Sequence, residues 1–225
     1  MMIEAINISK IYAIGSQKTQ ALKDIDLKVE RGEFVSLMGP SGSGKSTLLY
    51  ILGGLDKADS GSVLVGGREI GKMNDTDESA MRRDDIGFVF QAYNLIDNLT
   101  VEENILIPVL LSGKKRKDVT GQLEELLKAV GLYEHRRHRP MELSGGQQQR
   151  TAIARALISR PEVIFADEPT GNLDSQSGGD VLELLKMLNR QYGVTVLMVT
   201  HSEDAARYAD RIVRLKDGRI VDEQL

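Results

Sequence analysis

The sequence contains no cysteine. Disulfide frameworks, thiolate metal sites and thiol nucleophiles are therefore all excluded, which suits a reducing compartment. It also lacks any uninterrupted apolar run of the roughly 18 residues a membrane-crossing helix needs. Glu4 stands where a secretory signal would place its apolar centre. There is no basic excess either: 29 Lys and Arg face 33 Asp and Glu, a formal charge of -4, which argues against a dedicated nucleic-acid partner. No internal repeat or low-complexity linker breaks the chain. What remains is 225 residues of ordinary globular composition, 41% hydrophobic and 28% charged, enough for one large α/β domain. The expectation is a soluble, cytoplasmic protein that neither enters nor spans a membrane by itself.

The patterns alternate between strand and helix. Ile25, Leu27 and Val29 follow the two-residue period of a half-buried strand, with a turn around Gly32 after them. The apolar run from Phe34 to Met38 leads into a glycine-rich stretch, then into a helix from about Lys45 to Gly53 and Gly54. Gly66 and Gly67 join Ser62–Val65 to Arg68–Ile70 as a hairpin, and Gly87–Phe90 supplies a further short strand. From Thr100 to about Ile158 the period turns helical, with Leu123, Leu126, Leu127 and Val130 on one face before Gly131. Val163–Ala166 and Thr195–Val199 read as fully buried strands around a helix through Val181, Leu184, Leu185 and Leu188. Arg211–Lys216 and Arg219–Val221 turn at Asp217 and Gly218. Such alternation implies a parallel sheet accompanied by an antiparallel piece and a helical lobe.

Three strings carry chemistry. GPSGSGKST, comprising Gly39, Pro40, Ser41, Gly42, Ser43, Gly44, Lys45, Ser46 and Thr47, fits the phosphate-loop spacing between a strand and a helix. Its glycines let backbone N–H groups approach phosphate oxygens, and the following helix points its positive end at the same anion. Lys45 would reach the β and γ phosphates, and the Ser46 hydroxyl would ligate magnesium. In VIFADE a buried strand delivers Asp167 and Glu168 together, the first for a magnesium shell and the second to polarise an attacking water. LSGGQQQR opens a helix with Ser144 as N-cap, and Gly145 and Gly146 bare backbone donors to a second anion. A capped surface helix would explain Ser144, but not two glycines or three successive glutamines.

LSGGQQQR, lying between the phosphate loop and the paired acids, resembles the signature motif of ATP-binding cassette (ABC) ATPases. The resemblance covers essentially the whole chain. It implies a P-loop NTPase (RecA-like) fold, with the nucleotide-binding core and β subdomain in 1–91 and 159–225 and a helical signature subdomain in 92–158. It implies ATP and Mg2+ as ligands, with Tyr12 stacking on adenine, Gln91 joining Ser46 and Asp167 at the metal, and His201 contacting the γ-phosphate beside Glu168 and Lys45. Leu143, Ser144, Gly145, Gly146 and Gln147 would face the ATP of a second copy, and Asn172, Leu173 and Asp174 would form the loop that crosses between subunits. The implied protein is an ATP-dependent homodimer that drives a separate transmembrane permease from the inner face of the membrane. Within the family, NLTVEENILIPVLL and ADEPTGNLD look most like the ATPases of macrolide export, lipoprotein release and antimicrobial-peptide resistance. A cell-division-type signalling ATPase, coupled to a membrane partner without transport, is the alternative. The apolar positions Leu95, Ile96, Leu99, Val101, Ile105, Ile107, Val109 and Leu110 stay open between core packing and a groove for a permease helix.

Overall fold

The computed structural model describes residues 1–15 and 17–224. Ten strands and seven α-helices follow in chain order: β1 (Ile3–Ile14), β2 (Gln17–Val29), β3 (Phe34–Met38), α1 (Lys45–Leu52), β4 (Ser60–Val65), β5 (Arg68–Glu69), α2 (Asp75–Asp84) and β6 (Ile86–Phe90). Then come α3 (Val101–Leu111), α4 (Thr120–Ala129), α5 (Gly145–Leu157), β7 (Val163–Asp167), α6 (Ser175–Tyr192), β8 (Thr195–Thr200), α7 (Glu203–Ala206), β9 (Arg211–Lys216) and β10 (Arg219–Gln224).

A six-stranded sheet in the order β10-β9-β3-β8-β7-β6 forms the centre, and only the β9–β10 pairing in it is antiparallel. The three central strands β3, β8 and β7 are mostly apolar and buried because both faces are covered. In β7, Ile164 and Ala166 pack toward α3, α4, α5 and α6, while Val163 and Phe165 pack toward α1 and the second sheet. β8 divides the same way, Val196 and Met198 to one side and Leu197 and Val199 to the other. The second sheet is antiparallel, in the order β2-β1-β4-β5, and contributes Ile3, Ile8, Ile25 and Val65 to the core it shares with α1.

The α/β architecture read from the patterns is the one observed. Val65 pairs with Arg68 across the Gly66–Gly67 turn, although the second strand stops at Glu69 and Ile70 begins a 3-10 turn. α2 escaped the apolar pattern because DTDESAMRRD buries only Glu78 and Met81. Its signal is the Asn74 side chain, which accepts from the Asp77 N–H. The apolar stretch after Gln91 divides: Val101, Ile105 and Val109 are core, whereas Ile96 and Leu110 are about half exposed at 49% and 53%. Asn104, fully buried, locks the segment before α3 by accepting from the Ile96 N–H and donating to the carbonyls of Ile96, Leu99 and Thr100.

Candidate active site

The phosphate-loop string runs from the carboxyl end of β3 into α1. Its shape depends on glycine at two positions. A Cβ at Gly39 would stand 2.1 Å from the Leu215 carbonyl oxygen, and Gly44 has φ 101 with the Ala21 carbonyl 2.5 Å from where its Cβ would lie. α1 has no side-chain N-cap and no acid in its first turn, so its free N–H groups and positive end are available to an anion. Lys45 is buried, and its ammonium donates to the Pro40 carbonyl at 2.8 Å, folding the side chain back over the loop. Burial draws its pKa below the ordinary lysine value, and the carboxylates of Glu168 and Asp167 oppose the shift.

The acids stand beside it. Ser46 Oγ donates to Asp167 Oδ1 at 2.9 Å, and Tyr50, one helical turn further along α1, donates to Oδ2 at 2.6 Å. Burial and that carboxylate push the Tyr50 phenol up to about 12, so it remains a donor. Glu168 has φ 46, a left-handed conformation rare for a glutamate, and its backbone N–H donates to the Val199 carbonyl at 3.0 Å. Its carboxylate lies 2.7 Å from Nδ1 of His201, which leaves β8 on the neighbouring strand end. Among the described residues no cluster of three His, Asp or Glu could hold a metal without help. The adjacent oxygens of Ser46 and Asp167 fit magnesium, which is held by one or two protein ligands and completes its shell with substrate phosphates and water.

The cleft over this loop, about 710 Å3, is lined by Tyr12, Gln20, Ser41, Lys45, Glu168 and His201, among others. Tyr12 presents its ring there while its hydroxyl donates to Asp56 Oδ2 at 2.6 Å, and Lys10 bonds Asp56 Oδ1 from beneath. Tyr50 and Asp56 were not singled out from the sequence. Tyr50 was findable, since it falls four residues after Ser46 and so shares its helix face.

The remaining expected residues are absent from that lining. Gln91 follows Phe90, which stands level with Asp167 across β6 and β7, and it is tied to Asn172: its side-chain amide donates to Asn172 Oδ1 and its backbone carbonyl accepts from Asn172 Nδ2, both at 3.0 Å. Gly171 leaves room for this pair, as a Cβ there would meet the Gln91 amide at 2.6 Å. Asp174 caps α6 by accepting from the Gln176 and Ser177 N–H groups, and Leu173 packs against Gly145. Ser144 caps α5 in a box with Gln147. The three glutamines have separate partners: Gln147 takes the Ser144 N–H, Gln148 donates to the Leu143 carbonyl, and Gln149 reaches the Phe90 carbonyl. None of Leu143 to Gln147 lines the cleft above Lys45.

A phosphate loop, paired acids with an apposed histidine and a glycine-rich helix start thus share one chain. The family model described as ABC transporter matches residues 22–171. The chain belongs to the ABC transporter family. This ABC ATPase is 50% identical over 221 residues to the uncharacterized ABC transporter ATP-binding protein MJ1508 of Methanocaldococcus jannaschii, covering 98% of each chain. It is 46% identical to the lipoprotein-releasing system ATP-binding protein LolD of Geobacter metallireducens, again over 98% of each. It spans about a third, 34%, of the macrolide export ATP-binding/permease protein MacB of Chlorobaculum tepidum. Among solved structures it superposes, with a TM-score of 0.89 and 44% identity, on the dimeric post-hydrolysis ATP-binding cassette MJ0796 bound to ADP and Pi, covering 99% of this chain and 98% of that one. It binds ATP with magnesium and hydrolyses it to ADP and phosphate, as the ATP-binding subunit of a transporter.

Proposed function

We propose that two copies of this ABC ATPase close head to tail around two ATP molecules and thereby drive a separate membrane permease of the export or lipoprotein-release type. The observation that carries the reading is the one-sided cleft. Lys45, Ser46, Glu168 and His201 line it, with Asp167 bonded to Ser46, yet the second set of anion donors, at Ser144 to Gln147, has no part in its lining. One chain carrying both halves of a site, apart from each other, fits a twofold dimer in which each half is completed by the partner. The dimeric state of the MJ0796 cassette supports this.

Within that dimer each residue has a role. The loop from Gly39 to Thr47 cradles the phosphates with backbone N–H groups, and Lys45 leaves the Pro40 carbonyl for the β and γ oxygens. Ser46, Asp167 and Gln91 would hold magnesium, which would supply positive charge against the phosphates. Gln91 would turn from Asn172 to do so, and Asn172 to Asp174 would meet the partner. Glu168 accepts the proton of the attacking water, His201 orients Glu168 and contacts the γ-phosphate, and Tyr12 stacks on the base. In this reading 1–91 with 159–225 binds nucleotide, and 92–158 carries the signature.

Ser144→Arg separates the halves of this reading. Its side chain would occupy the partner's phosphate space while leaving the same chain's cleft untouched. Monomer ATP affinity is expected to stay within about twofold while ATP-dependent dimerisation and hydrolysis are lost. Calorimetry and size exclusion distinguish the two, and an equal loss of affinity would contradict a partner-facing Ser144.

The permease contact is read from a second groove. Ile107, Pro108 and Leu111 of α3 line it opposite Leu55, Phe88 and Phe90, and Leu111 is 71% exposed. Of the apolar positions expected between Leu95 and Leu110, Ile107 lines it, and the groove continues to Pro108 and Leu111 at the end of α3. An amphipathic cytoplasmic helix of the permease would fit there, and this chain would then sit peripherally on the inner face of the membrane. Export and lipoprotein-release names among full-length relatives favour transport over the signalling alternative. Leu111→Asp is expected to uncouple the machine: the isolated subunit hydrolyses ATP normally, but in liposomes with its permease, transport falls at least tenfold. Unchanged transport would relocate the contact.

A further inference from the structure

Two of the three histidines of the chain, His135 and His138, meet in the loop between α4 and α5, with their Nδ1 atoms 3.0 Å apart. The turn is rigid: the His138 N–H donates to the His135 carbonyl, and the His138 carbonyl accepts from the Val101 N–H at the start of α3. The other nitrogen of His135, Nε2, lies 3.2 Å from the side-chain amide nitrogen of Gln147. The Gln147 amide is oriented by its own contact, since Oε1 accepts the Ser144 N–H at 2.9 Å. Its nitrogen can only donate, so His135 Nε2 must accept and carries no proton. Neutral His135 then bears its proton on Nδ1 and donates it to Nδ1 of His138, whose own proton sits on Nε2. The hydrogen-bond directions of the whole chain, from Ser144 through Gln147 to His138, are thereby fixed.

We infer that His135 and His138 are positioning residues for the signature helix and make its N-terminal cap sensitive to protonation. Adding a proton to His135 sets an Nε2–H against the Gln147 amide. Adding one to His138 sets two Nδ1–H groups against each other. Rotating the Gln147 amide would relieve the first conflict only by turning its NH2 toward the Ser144 N–H, which opens the capping box. Imidazole is the side chain suited to change charge between about pH 5 and 8.

Glu134, Arg136, Arg137 and Arg139 share the loop, and Arg136 lies over the Tyr133 ring. From α3, Glu102 is paired with Arg116 and Glu103 is turned back on Thr100. In the turn before α5, Glu142 accepts from the Arg139 N–H, and on α5 Arg150 points to the Gly146 carbonyl. Among the described residues, no carboxylate forms an ion pair with either ring.

The inference rests on the partner-facing reading of Ser144 to Gln147, and the test separates the two. ATP-dependent dimerisation is measured in the Glu168→Gln background, where hydrolysis should not dissolve the dimer and position 168 cannot titrate. From pH 8 to pH 6 its dimer affinity should fall about fivefold, the scale of a lost helix cap. Adding His135→Gln, whose Oε1 replaces Nε2 as an acceptor but takes up no proton, should flatten the profile, and His138→Asn provides an independent second variant. Monomer ATP affinity reports that each variant is folded. Nitrogen-15 spectra of the imidazoles should show the Nδ1–H tautomer at His135 and Nε2–H at His138. Profiles that superimpose with and without the substitutions, or an Nε2–H tautomer at His135, overturn the inference. If Ser144→Arg in this background still dimerises, the partner-facing reading fails instead.

Discussion

Glu168→Gln is expected to bind ATP as the native chain does, to lose turnover by roughly two to four orders of magnitude, and to accumulate as an ATP-bound dimer. The substitution keeps the side chain's shape but removes the carboxylate that would take a proton from water, and general-base contributions are of that size. The amide can still bond His201 at the 2.7 Å position Glu168 occupies, so the pocket should not rearrange. The left-handed backbone at φ 46 is no more strained for glutamine than for glutamate. Size exclusion with and without ATP, alongside phosphate release, gives the answer. A variant that binds ATP yet stays monomeric would falsify the sandwich, and one that hydrolyses at the native rate would remove Glu168 from the chemistry.

Lys45→Ala should abolish turnover as well, but with a different signature. Lys45 is buried, and its ammonium donates to the Pro40 carbonyl in the field of Glu168 and Asp167. Removing it deletes a charge-assisted contact to the phosphates, so affinity for ATP should fall about 10- to 100-fold together with hydrolysis. The two variants therefore separate binding from chemistry: the glutamine variant binds and stalls, the alanine variant scarcely binds. Calorimetry with ATP measures the difference directly, and near-normal hydrolysis by Lys45→Ala would move the active site elsewhere.

Much of the fold was legible because buried parallel strands leave a blunt signal. Phe34–Met38, Val163–Ala166 and Thr195–Val199 are continuous apolar runs, and each is a central strand. The helix from Lys45 was bounded by glycines that the backbone uses as such. β1 was harder to read, since its pairing with β2 and β4 is interrupted by register shifts after Ala5 and Ile6. At the site, local strings gave the loop, the acids and the capped helix start. Contacts between distant segments had no local signal: Gln91 with Asn172, Tyr12 with Asp56, and His135 with Gln147 join residues from 12 to 81 positions apart.

The order of the central strands has a consequence for how freely such a protein can diverge. β3, β8 and β7 are neighbours, and Leu37, Val199 and Asp167 stand level across them. The phosphate loop, His201 and Glu168 therefore leave from three adjacent rails whose spacing, about 4.8 Å, is set by the peptide backbone rather than by any side chain. Substitutions inside those strands can drift among apolar residues without altering the distances between the reacting groups. The edge strand β10 carries none of these groups and is free of that constraint. A lineage built on this sheet can thus diversify at its rim while its motor keeps one gauge.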